Sequence, residues 1–324
     1  MILSYYQIIL ALFITFLACH SHYQTSSQQQ TLIENHWRKY PERIRYLVRA
    51  LDLEPEKLDA VKDHLIRGDT VGACEALLIH FENAKRDWVV AAIDPISAKD
   101  ALRIAKIFRA DSVSIGGVVD KIPDRQMGGW KWDYLGPNAD AEFAYSLNAQ
   151  SYLPTLYVAW KESHDPKYVE VFNRIINDWV IQHPLPRPGD SIYQVLNQVG
   201  TLDYRDIGEV EWRTLDTGRR LGASWPQSFY AFQHHEAFSP VTRLLMLSSL
   251  VEQANYLWLY HKSGHNWTTM EMNGLALAGL AFPEFKQAQD WVSYAQTVMS
   301  DEIDGRFIRM AYRRSFPQRL NGLH

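Results

Sequence analysis

The chain has 324 residues, of which 47% are hydrophobic and 22% charged, and carries a formal net charge of -4. This is long and apolar enough for a sizeable core, and the acidic balance gives no electrostatic case for a nucleic-acid partner. With 11 Trp and 17 Tyr the aromatic share reaches 13%. These flat side chains with polar tips suit carbohydrate grooves and large helical cores alike.

Residues 1–22 read as an export signal. The apolar run from Ile8 to Ala18 is too short to span a bilayer, and Phe16-Leu17-Ala18-Cys19 resembles a lipoprotein cleavage box with Cys19 as the lipidated residue. The expectation is a periplasmic or secreted protein whose one membrane tie would be a lipid on Cys19. Removing the signal leaves Cys74 as the remaining thiol, so no internal disulfide is expected. Residues 23–33 are read as a polar linker.

From Glu34 to about Phe108 apolar residues recur at helical spacing, as in Ile44, Leu47, Val48 and Leu51. Asp94-Pro95-Ile96-Ser97 marks a break before a helix over 98–108. A loop rich in aromatics and turn formers, 128–138, precedes a helix expected over 143–160. Pro166 opens another over 167–182, stopped by His183-Pro184. After a Pro/Gly-rich stretch, helices are expected over 211–232, 240–261 and 284–299. Helices joined by polar turns predict an all-α chain of antiparallel helical hairpins, an incomplete (α/α) toroid with a central cleft over residues 34–305.

The turn Ser263-Gly264-His265-Asn266-Trp267 stands between two apolar runs, with Thr268 or Thr269 as a cap for the second. A side-chain amide and an imidazole at a helix mouth suit a site that holds a negative group. Alternatives for Asn266 are a turn or cap residue, or a glycosylation acceptor in Asn266-Trp267-Thr268. No metal-ligand spacing is present, and no cofactor is expected.

Four segments together carry a family resemblance. They are GGWKWDY (128–134) with DAEFAYSLNAQSYLPTL (140–156), KYVEVFNRIINDWV (167–180), EWRTLDTGRRL (211–221) and HNWTTMEMNGLALAGLAFPEFKQAQDW (265–291). In order and spacing they resemble the N-terminal domain of heparinase II/III-like polysaccharide lyases. The resemblance implies a toroid followed by a β-sandwich, and β-elimination on acidic, uronic-acid-containing polysaccharides of the heparan sulfate type. It implies that Asn266, helped by His265, neutralises the uronate carboxylate. Trp130, Trp132, Asn148, Arg213, Arg219, His234, His235, Trp267 and Glu271 are the groove candidates, Arg for sulfate or carboxylate and Trp for sugar faces. Two further readings stay open. One is a non-catalytic module for acidic glycans. The other is a glycoside hydrolase using carboxylates such as Asp133, Glu142, Asp216 or Glu271.

Relatives continue with a segment resembling QVYPDGVQTELSPTY that supplies the catalytic Tyr, whereas here Arg306 opens the basic run RFIRMAYRRSFPQRLNGLH. One choice of codons for 306–318 spells most of the family segment in a neighbouring frame. Residues 306–324 are therefore expected to be an aberrant, frameshifted tail. The β-sandwich is expected to be absent, with weak or no activity for the chain as given.

Overall fold

Prolines and cap residues set the helix limits in this computed structural model. It describes residues 27–54, 56–125, 128–185, 210–262 and 266–315, the side chains of 56 and 306–315 excepted. Helix α1 occupies 27–39, running through part of the stretch read as a polar linker. It is followed by α2 (Pro41–Ala50), α3 (Asp59–Ile66), α4 (Thr70–Asn83), α5 (Asp87–Ala91) and α6 (Ala98–Arg109). Asp69 caps α4 by accepting from the Gly72 N–H, and Ser97 caps α6 through the Asp100 N–H.

A short antiparallel hairpin then interrupts the helices: β1 (Ser112–Ile115) pairs with β2 (Val118–Lys121). Its two-residue loop is Gly116-Gly117, at φ 57° and 82°. Two successive positive φ values match the strand twist and are accessible to glycine without strain. Gly-Gly between Val-bearing runs is the hairpin signal that a purely helical reading passes over.

The helix expected over 143–160 is two helices, α7 (Ala141–Ala149) and α8 (Leu153–Ser163). Gln150 closes α7 in the left-handed conformation, and Pro154 sits at the start of α8. A continuous helix would set the Pro154 ring against the carbonyl of residue 150, so the chain breaks there. After α9 (Lys167–Gln182), the segment 211–232 divides for the same reason. It forms a 3-10 turn at Val210–Trp212, then α10 (Thr214–Ala223) and α11 (Trp225–Phe232), with Pro226 in the first turn of α11. Next come α12 (Pro240–Tyr260), α13 (Thr268–Ala281) and α14 (Ala288–Ser315). The helical backbone of α14 crosses the limit expected at 305. Residues 1–22, expected to be an export signal, and residues 316–324 lie outside the described residues.

Helix α12 is buried on every side, from Thr242 and Arg243 through Leu250 to Tyr256 and Leu257, as a helix at the centre of a helical stack must be. Arg43 fastens it to its neighbours: one guanidinium nitrogen donates to the α9 carbonyl of Val180 at 2.6 Å, another to Glu252 of α12 at 3.2 Å. Early and late helices also meet. Buried Glu284 accepts from Arg86 at 3.2 Å and contacts the His80 Nε2 at 2.9 Å, while the Lys286 N–H donates to the Ala50 carbonyl. Trp132, Trp179, Trp212, Trp225 and Trp291 are fully buried, so much of the aromatic content is core. Among the described residues no helix is long and apolar enough to cross a membrane.

Candidate functional site

Two helices approach unusually closely beneath the candidate site. A Cβ on Gly274 of α13 would stand 2.4 Å from the Gly218 carbonyl oxygen of α10, and one on Gly218 would meet the Glu271 Cα at 2.7 Å. Only glycine permits this contact. It brings the start of α10, at Arg213, beside the start of α13, at Trp267: the guanidinium carbon lies 5.3 Å from the indole centroid.

Lys262, at the end of the preceding described segment, is tied to the start of α13. Thr268 Oγ1 donates to the Lys262 carbonyl at 2.5 Å, and the Lys262 N–H donates to Glu271 Oε2 at 3.0 Å. The cap position of α13 is held by Trp267, with no side-chain cap bond, so Thr268 closes the turn behind the helix where a cap had been expected. Glu271 is fully buried, and burial pushes its carboxyl above the usual carboxylate range. Its part is to fix Lys262, whose ammonium comes to 4.7 Å from the Trp267 ring centroid.

Lys262 and Trp267 line a cleft of about 730 Å³, whereas Glu271, a groove candidate from sequence, is buried and does not line it. Arg213, Lys262, Trp267 and Tyr145 form one part, and Leu135, Asp140 and Glu142 another. The Arg213 guanidinium lies 3.5 Å from the Tyr145 ring centroid and donates twice to Asp216, at 2.5 and 3.1 Å. Its third nitrogen is 3.7 Å from Glu142. Asp216 has no exposed surface; burial raises its carboxyl while Arg213, Arg220 and Arg219 pull the other way. A flat cation held by a buried carboxylate and a ring face is preorganised to meet a carboxylate or sulfate. Indole and phenol faces beside it suit the apolar face of a sugar ring.

Asn266 is exposed and directly precedes Trp267; His265 lies outside the described residues. Of the other groove candidates, Arg213 and Trp267 line the cleft. Trp132 and Asn148 lie in the core instead. The Trp132 Nε1 donates to Asp178, and the Asn148 amide donates to the Trp132 and Ala144 carbonyls and accepts from Trp179. Each polar tip is satisfied internally, which permits the burial. Trp130 is nearly buried against Trp132 and borders a separate cavity with Asp178. Arg219 is half-exposed near Asp216. Neither His234 nor His235 lines the cleft; His234 is exposed, and His235 packs edge-on against Trp160 at 4.9 Å. Sequence reasoning passed over Tyr145 and Lys262. Lys262 lies in no motif, and Tyr145, though within the segment 140–156, is not marked out there as a groove residue; only the packing of α7, α10 and α13 brings the two together. Among the described residues no group of three or more His, Cys, Asp or Glu is placed to hold a metal ion.

Comparison with known proteins places this geometry. Residues 47–311 match the family described as Heparinase II/III N-terminus. The heparin-sulfate lyase of Bacteroides thetaiotaomicron is 25% identical over 57% of the chain, and that of Pedobacter heparinus 25% identical over 52%. These matches cover 24% and 23% of the two relatives, so the chain spans about a quarter of their length. Among solved structures, the heparan sulfate lyase of Pedobacter heparinus superposes with a TM-score of 0.66 at 22% identity, over 81% of this chain and 39% of that one. A structure of heparinase III superposes with a TM-score of 0.65 at 22% identity, over 80% and 38%. These likenesses identify the helical arrangement as the toroid of those structures. Since the family match runs across most of the sequence, the chain belongs to the heparinase II/III family through its N-terminal domain.

Proposed function

We propose that this chain supplies the toroid of a polysaccharide lyase that acts on uronic-acid-containing glycans of the heparan sulfate type by β-elimination. One observation carries the reading: two cations, Arg213 and Lys262, stand over the ring of Trp267 in a sugar-sized cleft; the exposed Asn266 precedes Trp267 in the chain and is not among the lining residues. In that reaction the proton on C5 leaves to a base and the C4–O bond breaks. A C4–C5 double bond forms, and the departing oxygen takes a proton. The C5 proton is acidic enough only when the neighbouring carboxylate is neutralised, and an amide donor can do this as charge develops. Asn266 takes that role, with His265 as its helper, while Arg213 and Lys262 hold the anionic groups and Trp267 the sugar face.

The resemblance assigns proton removal to a Tyr. On this reading the chain binds acidic glycan through the cleft of Arg213, Lys262 and Trp267. Export through the signal at 1–22 would bring it to such substrates. The test is calorimetric binding of heparan sulfate, chondroitin sulfate, hyaluronan and alginate, alongside absorbance of unsaturated uronate product. Binding of at least one of them, weakened at least tenfold by Arg213→Lys, supports the proposal. No binding to any of the four, with the protein folded by circular dichroism, refutes it.

A further inference from the structure

Helix α1 is held to the toroid by its second half alone. Residues 27–32 are all exposed, and contact begins at Ile33, which is buried. His36 and then half-buried Trp37 follow on the same side. At Tyr40 the backbone (φ -132°, ψ 57°) leaves the helical region, and Pro41 starts α2. A proline ring does not let a helix run on through it, so α1 and α2 meet at a joint and not as one rod. Helix α1 precedes the residues 47–311 that match the family.

This docking has its weak point at His36. The side chain is buried, its ring is 5.3 Å from that of Tyr40, and its Nε2 has no hydrogen-bond partner. The charges acting on it are both positive: Arg43 of α2 and Lys39 of α1. The carboxylates of α1, α2 and α12 are each paired with an arginine, Glu34 with Arg38, Glu42 with Arg45 and Glu252 with Arg43. From α9 the Val180 carbonyl is taken by Arg43 as well. A neutral imidazole fits this place. An imidazolium would be a third cation there, out of water and without an acceptor.

We infer that α1 is a pH-released strap, which leaves the toroid about the Tyr40–Pro41 joint when His36 takes up a proton, while the rest of the fold stays closed. Release uncovers the apolar surface beneath Ile33 and detaches the N-terminal segment from the toroid. No residue of the strap lines the cationic cleft, so the inference stands apart from the glycan reading. Burial, Arg43 and Lys39 lower the docked pKa to about 4, whereas an undocked His36 titrates near 6.5. Undocking therefore binds a proton, and docking weakens as pH falls from 6.5 toward 4. Between pH 7 and pH 5 the undocked fraction should rise about twentyfold.

Hydrogen exchange of the full chain at pH 7 and pH 5, corrected for the intrinsic pH dependence of amide exchange, tests this. At both pH values amides 33–40 should exchange at least about a hundredfold faster than amides 244–257 of α12, the mark of local opening. Their protection should fall about twentyfold from pH 7 to pH 5. In His36→Leu it should change by less than about twofold, and His36→Gln, neutral at both pH values, should behave alike. Equal protection of 33–40 at the two pH values overturns the strap. So does the same fall in both variants, or exchange of 33–40 only in step with α12, which would mean that α1 opens by unfolding of the whole chain.

Discussion

Two arginines on one helix, seven residues apart, do opposite work. Arg220 is fully buried: its three nitrogens donate to Gln253 Oε1, the Asn148 carbonyl and Thr217 Oγ1, and its guanidinium carbon lies 4.4 Å from the Trp179 ring centroid. Burial lowers its pKa to about 10, which leaves it charged at neutral pH. Arg213 also rests against an aromatic ring and is held by hydrogen bonds, yet it borders the cleft. Residue type and aromatic company are thus the same. What separates them is access: Arg220 has no exposed surface, whereas Arg213, 7% exposed, borders the cleft with one nitrogen 3.7 Å from the exposed Glu142.

The sharpest way to break this comparison is to remove the buried member. Arg220→Ala should cost about 3–5 kcal/mol in urea unfolding, because Gln253, Thr217 and the Asn148 carbonyl lose a donor in the core. A cost below about 1 kcal/mol would mean that water readily replaces the guanidinium. Gly274→Ala attacks the close approach that sets Arg213 beside Trp267. With a Cβ driven to 2.4 Å from a carbonyl oxygen, α10 and α13 must separate, at about 1–3 kcal/mol of stability, and glycan affinity should fall with it. Stability lost with affinity intact would detach the cleft from that helix pair. On the cleft side, Trp267→Ala should weaken glycan binding about tenfold while changing stability by under about 1 kcal/mol, as read from calorimetry and unfolding of the same variant.

A milder perturbation is pH. Burial lowers the pKa of His183 to about 3 and that of His36 to about 4, with nearby Arg and Lys charges adding to the effect. In the unfolded chain both would titrate near 6.5, so the unfolded state binds the extra protons first. The stability held by their neutral forms is complete above pH 6.5 and is lost as pH falls from there toward the folded pKa values. Between pH 7 and pH 5 the loss should reach about 1–2 kcal/mol per histidine, from the energy of one pKa unit. His183→Phe should flatten the urea midpoint over that range relative to the parent. The smallest effect belongs to Arg103, exposed and paired with Asp100 at 3.1 Å. Arg103→Ala should move stability by no more than about 0.5 kcal/mol.

Much of the helical order was legible because apolar periodicity, prolines and cap residues are local signals. The limits of α9 and α12 follow directly from Pro166, His183-Pro184 and Pro240. The breaks inside 143–160 and 211–232 were legible too, at Pro154 and Pro226, but a long apolar pattern overrode them. The hairpin at 112–121 rests on a Gly-Gly pair whose meaning depends on the strands beside it.

The site divides along the same line. By itself the sequence determined a succession of helices and a polar stretch before an apolar helix, since these depend on spacing along one segment, and it offered Arg213 as a groove candidate without placing it. Only the tertiary structure decided that Trp132 and Asn148 are core, that Tyr145 and Lys262 join the cleft, and that Glu142 stands at the cleft beside Arg213. Burial and charge compensation are set by neighbours far apart in sequence. Whether an arginine, a tryptophan or a carboxylate faces a ligand is therefore settled only when α7, α10 and α13 pack together.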